Sequence, residues 1–522
     1  MNHETPNFLI IITDQQRSDC LGCYGNDVIR TPNIDRMAKE GVQFTRTYVN
    51  NPLCMPSRAT LFTGKTPRGH HVRTNGIPLE WKETTLPAIL GALGYITHAV
   101  GKIHLRPFDI PLGSKLEELE PKEFPESREF WLAKKFQKFP EPYYGLQSVD
   151  FIGGHGDYTY GDYLVWLEKN YPGKEKLLKK EFAVRPPSGA QQSWKSSIPE
   201  ELHPSTWIAD RTIEFLEKVA TEDRPFFLWC SFPDPHHPFC PPEPWCDMYD
   251  PEEVPSPKMM GEAKELDNMP PHFKLTHEKG LLTSGTETSK PTKMSKEEIS
   301  EIRAHTYGMI SLIDKNVGKI LNTVKRLNLD NRTVVVFLSD HGELLGDHGL
   351  CFKGPFHYEG LVRVPFIWRW SNHFPSGLVV DSLVSLLDFF PTILDIAGVK
   401  IPEGFVPPNP YDPWLSWPPV PGKSLVPLLK GDKNELHDSV LIENDEDYLG
   451  LRLRTLVTKR YKITIYQGKN YGELFDLQND PDEYDNLWYS HSHQMLREEL
   501  SRKLLHKIVE TDDSLPRRLC HA

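Results

Sequence analysis

The run Cys54-Met55-Pro56-Ser57-Arg58 holds the residue types best suited to covalent chemistry. Pro56 suits the first turn of a helix, and Ser57 to Phe62 can continue it. Cys54 then lies near a helix N-terminus, where the dipole favours an anion and a thiolate is stabilised. Arg58 follows Cys54 at helical i,i+4 spacing, which brings both side chains to one site. Asp14, Lys102 with His104, His236, and Asp340 with His341 each come directly after an apolar run. Asp14, Asp340 and His341 are cation ligands by type. Carboxylate oxygens suit Ca²⁺ or Mg²⁺, an imidazole leaves room for Mn²⁺, and Gln15 can add an amide oxygen. Each residue alone has a plainer use: an Asp caps a loop, a His packs in a core, a Cys precedes a helix. Their shared position after apolar runs argues for a common site.

Those runs are the elements that must position the chemistry. Phe8 to Thr13, Phe226 to Phe232 and Thr333 to Ser339 are continuous and apolar, as parallel strands covered on both faces require. Ile96 to Val100 is a weaker example. Amphipathic helices are expected over Thr206 to Val219, Lys296 to Leu327 and Ser385 to Ala397. Strands alternating with helices predict an α/β fold with a large, mostly parallel sheet. Ligands of such sheets bind beyond the carboxyl ends of the strands, where the polar residues above fall. Lys102 and His104 are an i,i+2 pair at a strand end, so both are expected to point into one pocket.

The catalytic domain is assigned to residues 1–433, with long excursions at about 106–190 and 238–291 and a Pro-rich stretch at 398–422. Residues 434–522 read as a smaller α+β domain, with strands over Ser439 to Ile442 and Leu451 to Tyr466 and a helix over Met495 to Val509. Long excursions usually carry walls or lids. Trp131, Tyr143, Tyr158, Trp194 and Trp207 are their candidates for stacking on an aryl group or sugar, or equally for the core. A net charge of −12 argues against nucleic acid as a partner and requires a local positive pocket for any anionic substrate. No run reaches the apolar length of a membrane helix, and no membrane contact is expected. No signal peptide is evident, so a cytoplasmic location is expected, or a secreted or periplasmic one if a leader has been removed. Cys20 and Cys23 lack a second pair at zinc spacing and read as ordinary thiols. Oligomeric state, a homo-oligomer included, is not legible.

The motifs together resemble the sulfatase family, in which the Cys of C-x-P-S-R is oxidised by a maturation enzyme to formylglycine. The resemblance includes Asp14-Gln15-Gln16-Arg17, Thr31-Pro32-Asn33-Ile34-Asp35, Cys54 to Arg58 with Leu61-Phe62-Thr63-Gly64, and Gly101-Lys102-Ile103-His104. It continues with Pro235-His236-His237-Pro238-Phe239, Ser339-Asp340-His341-Gly342-Glu343, Gly346-Asp347-His348-Gly349 with Lys353, and Glu473-Leu474-Phe475-Asp476. Many sulfatases have Asp-Asp at the first motif. The Asp14-Gln15 here looks like choline-sulfatase and phosphonate-monoester-hydrolase relatives, all of the alkaline phosphatase-like superfamily.

The resemblance implies a role for each matching position. The hydrated aldehyde made from Cys54 binds one divalent metal, Ca²⁺ in the first instance and Mg²⁺ or Mn²⁺ as alternatives. Asp14, Asp340 and His341 are the other ligands, with Gln15 beside them. Arg58 holds the diol, and Lys102 and Lys353 bind the sulfate oxygens. His236 protonates the leaving alcohol, and the P-H-x-P-F pattern selects it over His237. His104 takes the remaining hydroxyl proton, which expels sulfate and restores the aldehyde. Asn75 resembles a position that lines the pocket. The substrate is a small-molecule or saccharide sulfate ester. Phosphonate-monoester hydrolases resemble this chain elsewhere but carry an aromatic and a hydroxyl residue at Lys102 and His104, which favours sulfate. The alternatives are a phosphonate monoester or phosphodiester hydrolase on the same scaffold, and a non-catalytic anion-binding protein with an unconverted Cys54.

Overall fold

The computed structural model describes residues 5–185, 188–258, 268–279, 294–399, 420–447 and 449–512. Much of the 238–291 excursion and of the Pro-rich 398–422 stretch lies outside the described residues.

One sheet of nine strands carries the larger part of the chain. Its strands are β1 (Asn7–Thr13), β2 (Val42–Tyr48), β3 (Ile96–Gly101), β4 (Ser148–Gly153), β5 (Tyr160–Gly161), β6 (Phe226–Ser231), β7 (Thr333–Ser339), β8 (Arg363–Arg369) and β9 (Leu378–Ser385). Their spatial order is β5-β4-β3-β6-β1-β7-β8-β2-β9. The central five, β4-β3-β6-β1-β7, run parallel to one another. Only β5 and β8 pair antiparallel with their neighbours. Side chains alternate faces along a strand. Phe8, Ile10 and Ile12 accordingly join one core and Leu9 and Ile11 another on the opposite face. Covering on both faces explains why these strands are apolar throughout rather than alternating.

Register brings the polar residues together. Thr13 pairs with Ser339, Ile12 with Ser231, Gly101 with Ser231, and Gly101 with Phe151. The five central strands therefore stop at nearly one level, and the residue after each stop faces the same crevice.

The helices that matter to the site are α1 (Cys54–Thr63), α2 (Asp162–Asn170), α3 (Pro204–Val219), α4 (Lys296–Arg326), α5 (Phe389–Ile396) and α6 (Gln494–Glu510). All ten residues of α1 are buried. Gly64 ends it in a left-handed conformation, φ 69°, where a Cβ would meet the Phe390 ring at 2.6 Å. α4 begins with a capping box between Ser295 and Glu298.

The expected helix over Ser385 to Ala397 is shorter. Ser385 is the last residue of β9, held by pairing with Tyr48 of β2, and the helix proper starts at Phe389. The 106–190 excursion is also more ordered than its composition implied, since its middle supplies β4 and β5 to the main sheet. Trp131, Tyr143, Trp194 and Trp207 are buried, so of the five aromatics weighed for stacking only Tyr158 is exposed.

A second, antiparallel sheet follows: β10 (Ser439–Glu446), β11 (Leu451–Thr458), β12 (Tyr461–Tyr466) and β13 (Gly472–Asp476). Leu441, Leu456, Ile463 and Leu474 on one face pack against Leu500 and Leu504 of α6. Among the described residues no helix is long and apolar enough to cross a membrane.

Candidate active site

Cys54 is the first residue of α1, in the turn whose amides have no helical partners. Asn75, expected to line the pocket, accepts the amide of Met55 at 3.0 Å and is itself exposed, so it caps that turn at the mouth of the site. The Ser57 hydroxyl donates to the carbonyl of Asp340 at 2.6 Å, which ties α1 to the end of β7.

The structure brings Asp14, Cys54, Asp340 and His341 together, with one ligand atom from each lying within 4.8 Å of the others. All four residues are buried. Cations surround them. The Lys353 ammonium stands 3.1 Å from Cys54 Sγ, 2.8 Å from His236 Nε2 and 3.1 Å from Gln15 Oε1. Lys102 donates to Asp14 and to His155 Nε2, the latter at 2.8 Å. Arg58 donates from Nε to Asp340 at 2.7 Å and from Nη1 to the Lys102 carbonyl and Ser231 hydroxyl, both at 3.0 Å. Its Nη2, buried 3.6 Å from Asp14, has no hydrogen-bond partner.

The field of these charges orders the titrations. Burial and Asp14 push the Cys54 thiol up, but Lys102, Lys353 and His341 outweigh them and bring it down to about 7. Burial raises Asp14, yet Lys102, His236, His155 and Arg58 hold it well below the carboxylate range. Burial lowers His104 and His236, and neighbouring cations lower them further, so both imidazoles rest neutral. His341 is raised despite burial, chiefly by Asp340.

Gln15 stands in the left-handed region, φ 67°. An ammonium can only donate, so the Lys353 contact fixes the amide with Oε1 towards Lys353. Its Nε2 then donates to Glu343 and lies 3.1 Å from His237 Nδ1. His237 thus orients Gln15, whereas His236 reaches Lys353 through Nε2 and donates from Nδ1 to the His237 carbonyl, 2.6 Å away.

Lys102 and His104 do not alternate along a strand. The strand ends at Gly101, and His104 sits at φ 60°, its amide given to Glu126 at 2.6 Å. The Glu126 carboxylate also takes the amides of Leu105 and Arg106 and sets the loop. The His104 ring stacks on Phe108, 3.8 Å between centroids, and its buried Nδ1 lacks a partner.

Two residues of the cluster were missed in the sequence. His155 lies on Lys102 and Asp14 and stacks on His236, and Glu343 holds Gln15. In the sequence Glu343 stands only as the last residue of the Ser339-to-Glu343 motif. His155 follows Gly153-Gly154 at the end of β4, a strand too short and too mixed to read as such.

The sulfatase family model matches residues 6–399. The chain belongs to the sulfatase family. Residues 346–510 also match the model described as N-sulphoglucosamine sulphohydrolase, C-terminal. An arylsulfatase of Clostridium perfringens is 30% identical over 509 residues, 97% of this chain and 94% of that protein. A choline-sulfatase of Rhizobium meliloti is 27% identical over 485 residues, 92% and 82% of the two chains. The phosphonate monoester hydrolase of Agrobacterium radiobacter superposes with a TM-score of 0.77 at 25% identity, over 97% of this chain and 96% of that one. This sulfatase is accordingly a sulfuric ester hydrolase with an alkaline phosphatase-like fold. Membership implies a divalent metal and a formylglycine, and the residues present fit both. Two carboxylates and an imidazole are ligands that hard divalent ions accept, and the unpartnered Arg58 Nη2 is a buried donor awaiting an oxygen.

Proposed function

We propose that this sulfatase hydrolyses a sulfate monoester at a formylglycine made from Cys54, with Ca²⁺ held by Asp14, Asp340, His341 and the Gln15 amide oxygen. The observation that carries the reading is the gathering of Cys54, Asp14, Asp340 and His341 within 4.8 Å, ringed by Arg58, Lys102 and Lys353. A sulfate monoester resists attack because its anionic oxygens repel a nucleophile, so cations must neutralise them first. The metal, when bound, supplies Lewis-acid stabilisation of that charge. The aldehyde hydrate supplies the nucleophile, and covalent catalysis divides one hard step into two.

The chain's own residues do the rest. Arg58 Nη2 donates to the oxygen at position 54. Lys353 and Lys102 turn N–H donors to the sulfate, and Lys353 thereby leaves His236 Nε2. The anion beside His236 favours its protonated form, which gives its Nε2 proton to the leaving alcohol. His104, neutral at rest, accepts the proton that releases sulfate. Asn75 lines the mouth.

The structural likeness to a phosphonate monoester hydrolase supports a second reading, phosphonate monoester or phosphodiester hydrolysis at the same residues. Turnover of p-nitrophenyl sulfate, choline sulfate, sulfated glucosamines and phenyl phosphonate esters is to be compared on protein whose Cys54 peptide shows the mass of the aldehyde. Faster sulfate turnover supports the first reading. Much faster phosphonate turnover overturns it in favour of the second. An unconverted Cys54 with anion binding alone leaves only a binding protein.

A further inference from the structure

His155 is the group of the cluster to which neither the sulfatase motifs nor the proposed mechanism gives a role. It reaches the site from the loop after β4, within the 106–190 excursion. Three observations locate it. Its Nε2 lies 2.8 Å from Lys102 Nζ and 3.6 Å from Asp14 Oδ2. Its ring stacks on His236, 3.6 Å between centroids and 11° between planes. Its side chain is 17% exposed, and among the described residues no hydrogen-bond partner meets its Nδ1.

The chemistry of the contact sets the tautomer. An ammonium only donates, so Nε2 accepts from Lys102, and a neutral imidazole with an accepting Nε2 carries its proton on Nδ1. Lys102 then has one hydrogen on Asp14, one on His155 and one left for an oxygen of the substrate. Without His155 the ammonium would collapse onto Asp14 alone, and its remaining hydrogens would lose their direction. The open Nδ1–H is a second donor beside it.

We propose that His155 is a positioning residue for sulfate binding: it aims the Lys102 ammonium at the ester's oxygens and offers its own Nδ1–H to the substrate. The assignment rests on the sulfatase reading above. It places part of the sulfate grip at the end of β4, the strand that the 106–190 excursion adds to the sheet. His155 acts by hydrogen bonding, not by filling space against His236.

Two substitutions separate those meanings. His155→Phe keeps a flat ring to stack on His236 but removes both nitrogens. His155→Gln loses the ring but keeps an acceptor for Lys102 and an amide donor. Both are tested as converted holoenzyme, with thermal unfolding as the folding control. The readouts are kcat and KM on p-nitrophenyl sulfate and the inhibition constant of inorganic sulfate. A hydrogen bond to a charged group is worth about 10- to 100-fold in binding. His155→Phe is therefore expected to raise both KM and the sulfate inhibition constant by about 10-fold or more, with a smaller fall in kcat. His155→Gln is expected to stay within about fivefold of wild type. A packing role gives the reverse order, and either that order or a His155→Phe variant within threefold of wild type overturns the proposal. Should the wild type hydrolyse no sulfate ester, the sulfatase reading fails. The change in sulfate affinity, followed as the sulfate-dependent rise in melting temperature, still judges His155.

Discussion

At the scale of single residues, the site divides into groups that were legible and groups that were not. Cys54, Arg58, Asp14, Asp340 and His341 were legible because each stands at a fixed offset from a helix start or a strand end, and that offset survives folding. His104 was legible by type but not by geometry. A loop pinned by Glu126, not strand alternation, carries it to the site. His155 and Glu343 act through contacts made across more than fifty residues of chain; no local pattern announces His155, and the motif that ends in Glu343 does not show that it holds Gln15. The division of labour between His236 and His237 is likewise a matter of which ring faces Lys353 and which faces Gln15. It yields a prediction. His236→Ala should slow esters with poor leaving groups by about 100-fold or more, the usual worth of a general acid, and good ones such as p-nitrophenyl sulfate far less. A plot of log kcat/KM against leaving-group pKa should steepen in the variant. An unchanged slope would remove His236 from the proton transfer.

At the scale of elements, the strongly apolar strands β1, β6 and β7 announced themselves, while β4 did not. Ser148–Gly153 includes Asp150 and is flanked by Gly and Pro-rich sequence, so its strand character comes from pairing with β3 and not from its own pattern. Asp162, the first residue of α2, is what holds this edge in place. Its two carboxylate oxygens accept the amides of Phe139 at 3.0 Å and of Phe151 at 2.8 Å. Burial nonetheless pushes the Asp162 carboxyl up to about 7 from an ordinary 3.8. A carboxyl raised on folding stabilises the protein fully below its unfolded pKa, and that contribution is lost as pH rises through the folded one. Wild-type stability should therefore fall relative to Asp162→Asn between pH 4 and pH 7, by at most about 1.4 kcal/mol per pH unit. Melting temperatures of both proteins across that range measure it. Parallel curves would mean that the two amides, not burial, govern Asp162.

At the scale of the whole molecule, two sheets cooperate around one charged centre. The change of character after residue 433 was legible as strands and a helix, but the reason for the attachment was not. β10 braces the segment that leads into Cys54: the Glu443 amide donates to the Asn50 carbonyl, and Asn51 Nδ2 donates to the Glu443 carbonyl, both at 2.7 Å. The ligand atoms of Asp14, Asp340 and His341 come together only in the folded chain, so an ion bound there stabilises it. Prolonged EDTA treatment should lower the melting temperature, and Ca²⁺ should restore it as its concentration rises, through a stabilisation that grows with the logarithm of that concentration and reaches about 2.7 kcal/mol at a hundred times Kd. A melting temperature indifferent to both would argue against a tightly held ion.

The joint between the sheets is electrostatic as well. Lys462 of β12 is buried, with Glu359 from the segment before β8 at 3.1 Å and Glu483 from the loop after β13 closer still. Glu483 also accepts the Glu359 amide at 2.8 Å, and Tyr48 of β2 donates to Glu359 at 3.2 Å. The ammonium faces two carboxylates where the small sheet meets the large one, and Arg363 adds a second cation 3.5 Å from Glu359. Removing one partner of a buried pair leaves uncompensated charge, which costs about 3–5 kcal/mol. Lys462→Met fills the space of the side chain but leaves Glu483 without its ammonium and Glu359 to Arg363. It should destabilise the protein by that amount in urea unfolding, and adding Glu359→Gln to it should recover part of the loss. Equal stability of Lys462→Met and wild type would show that the two sheets are held by apolar contact alone, and that the cluster contributes orientation without strength.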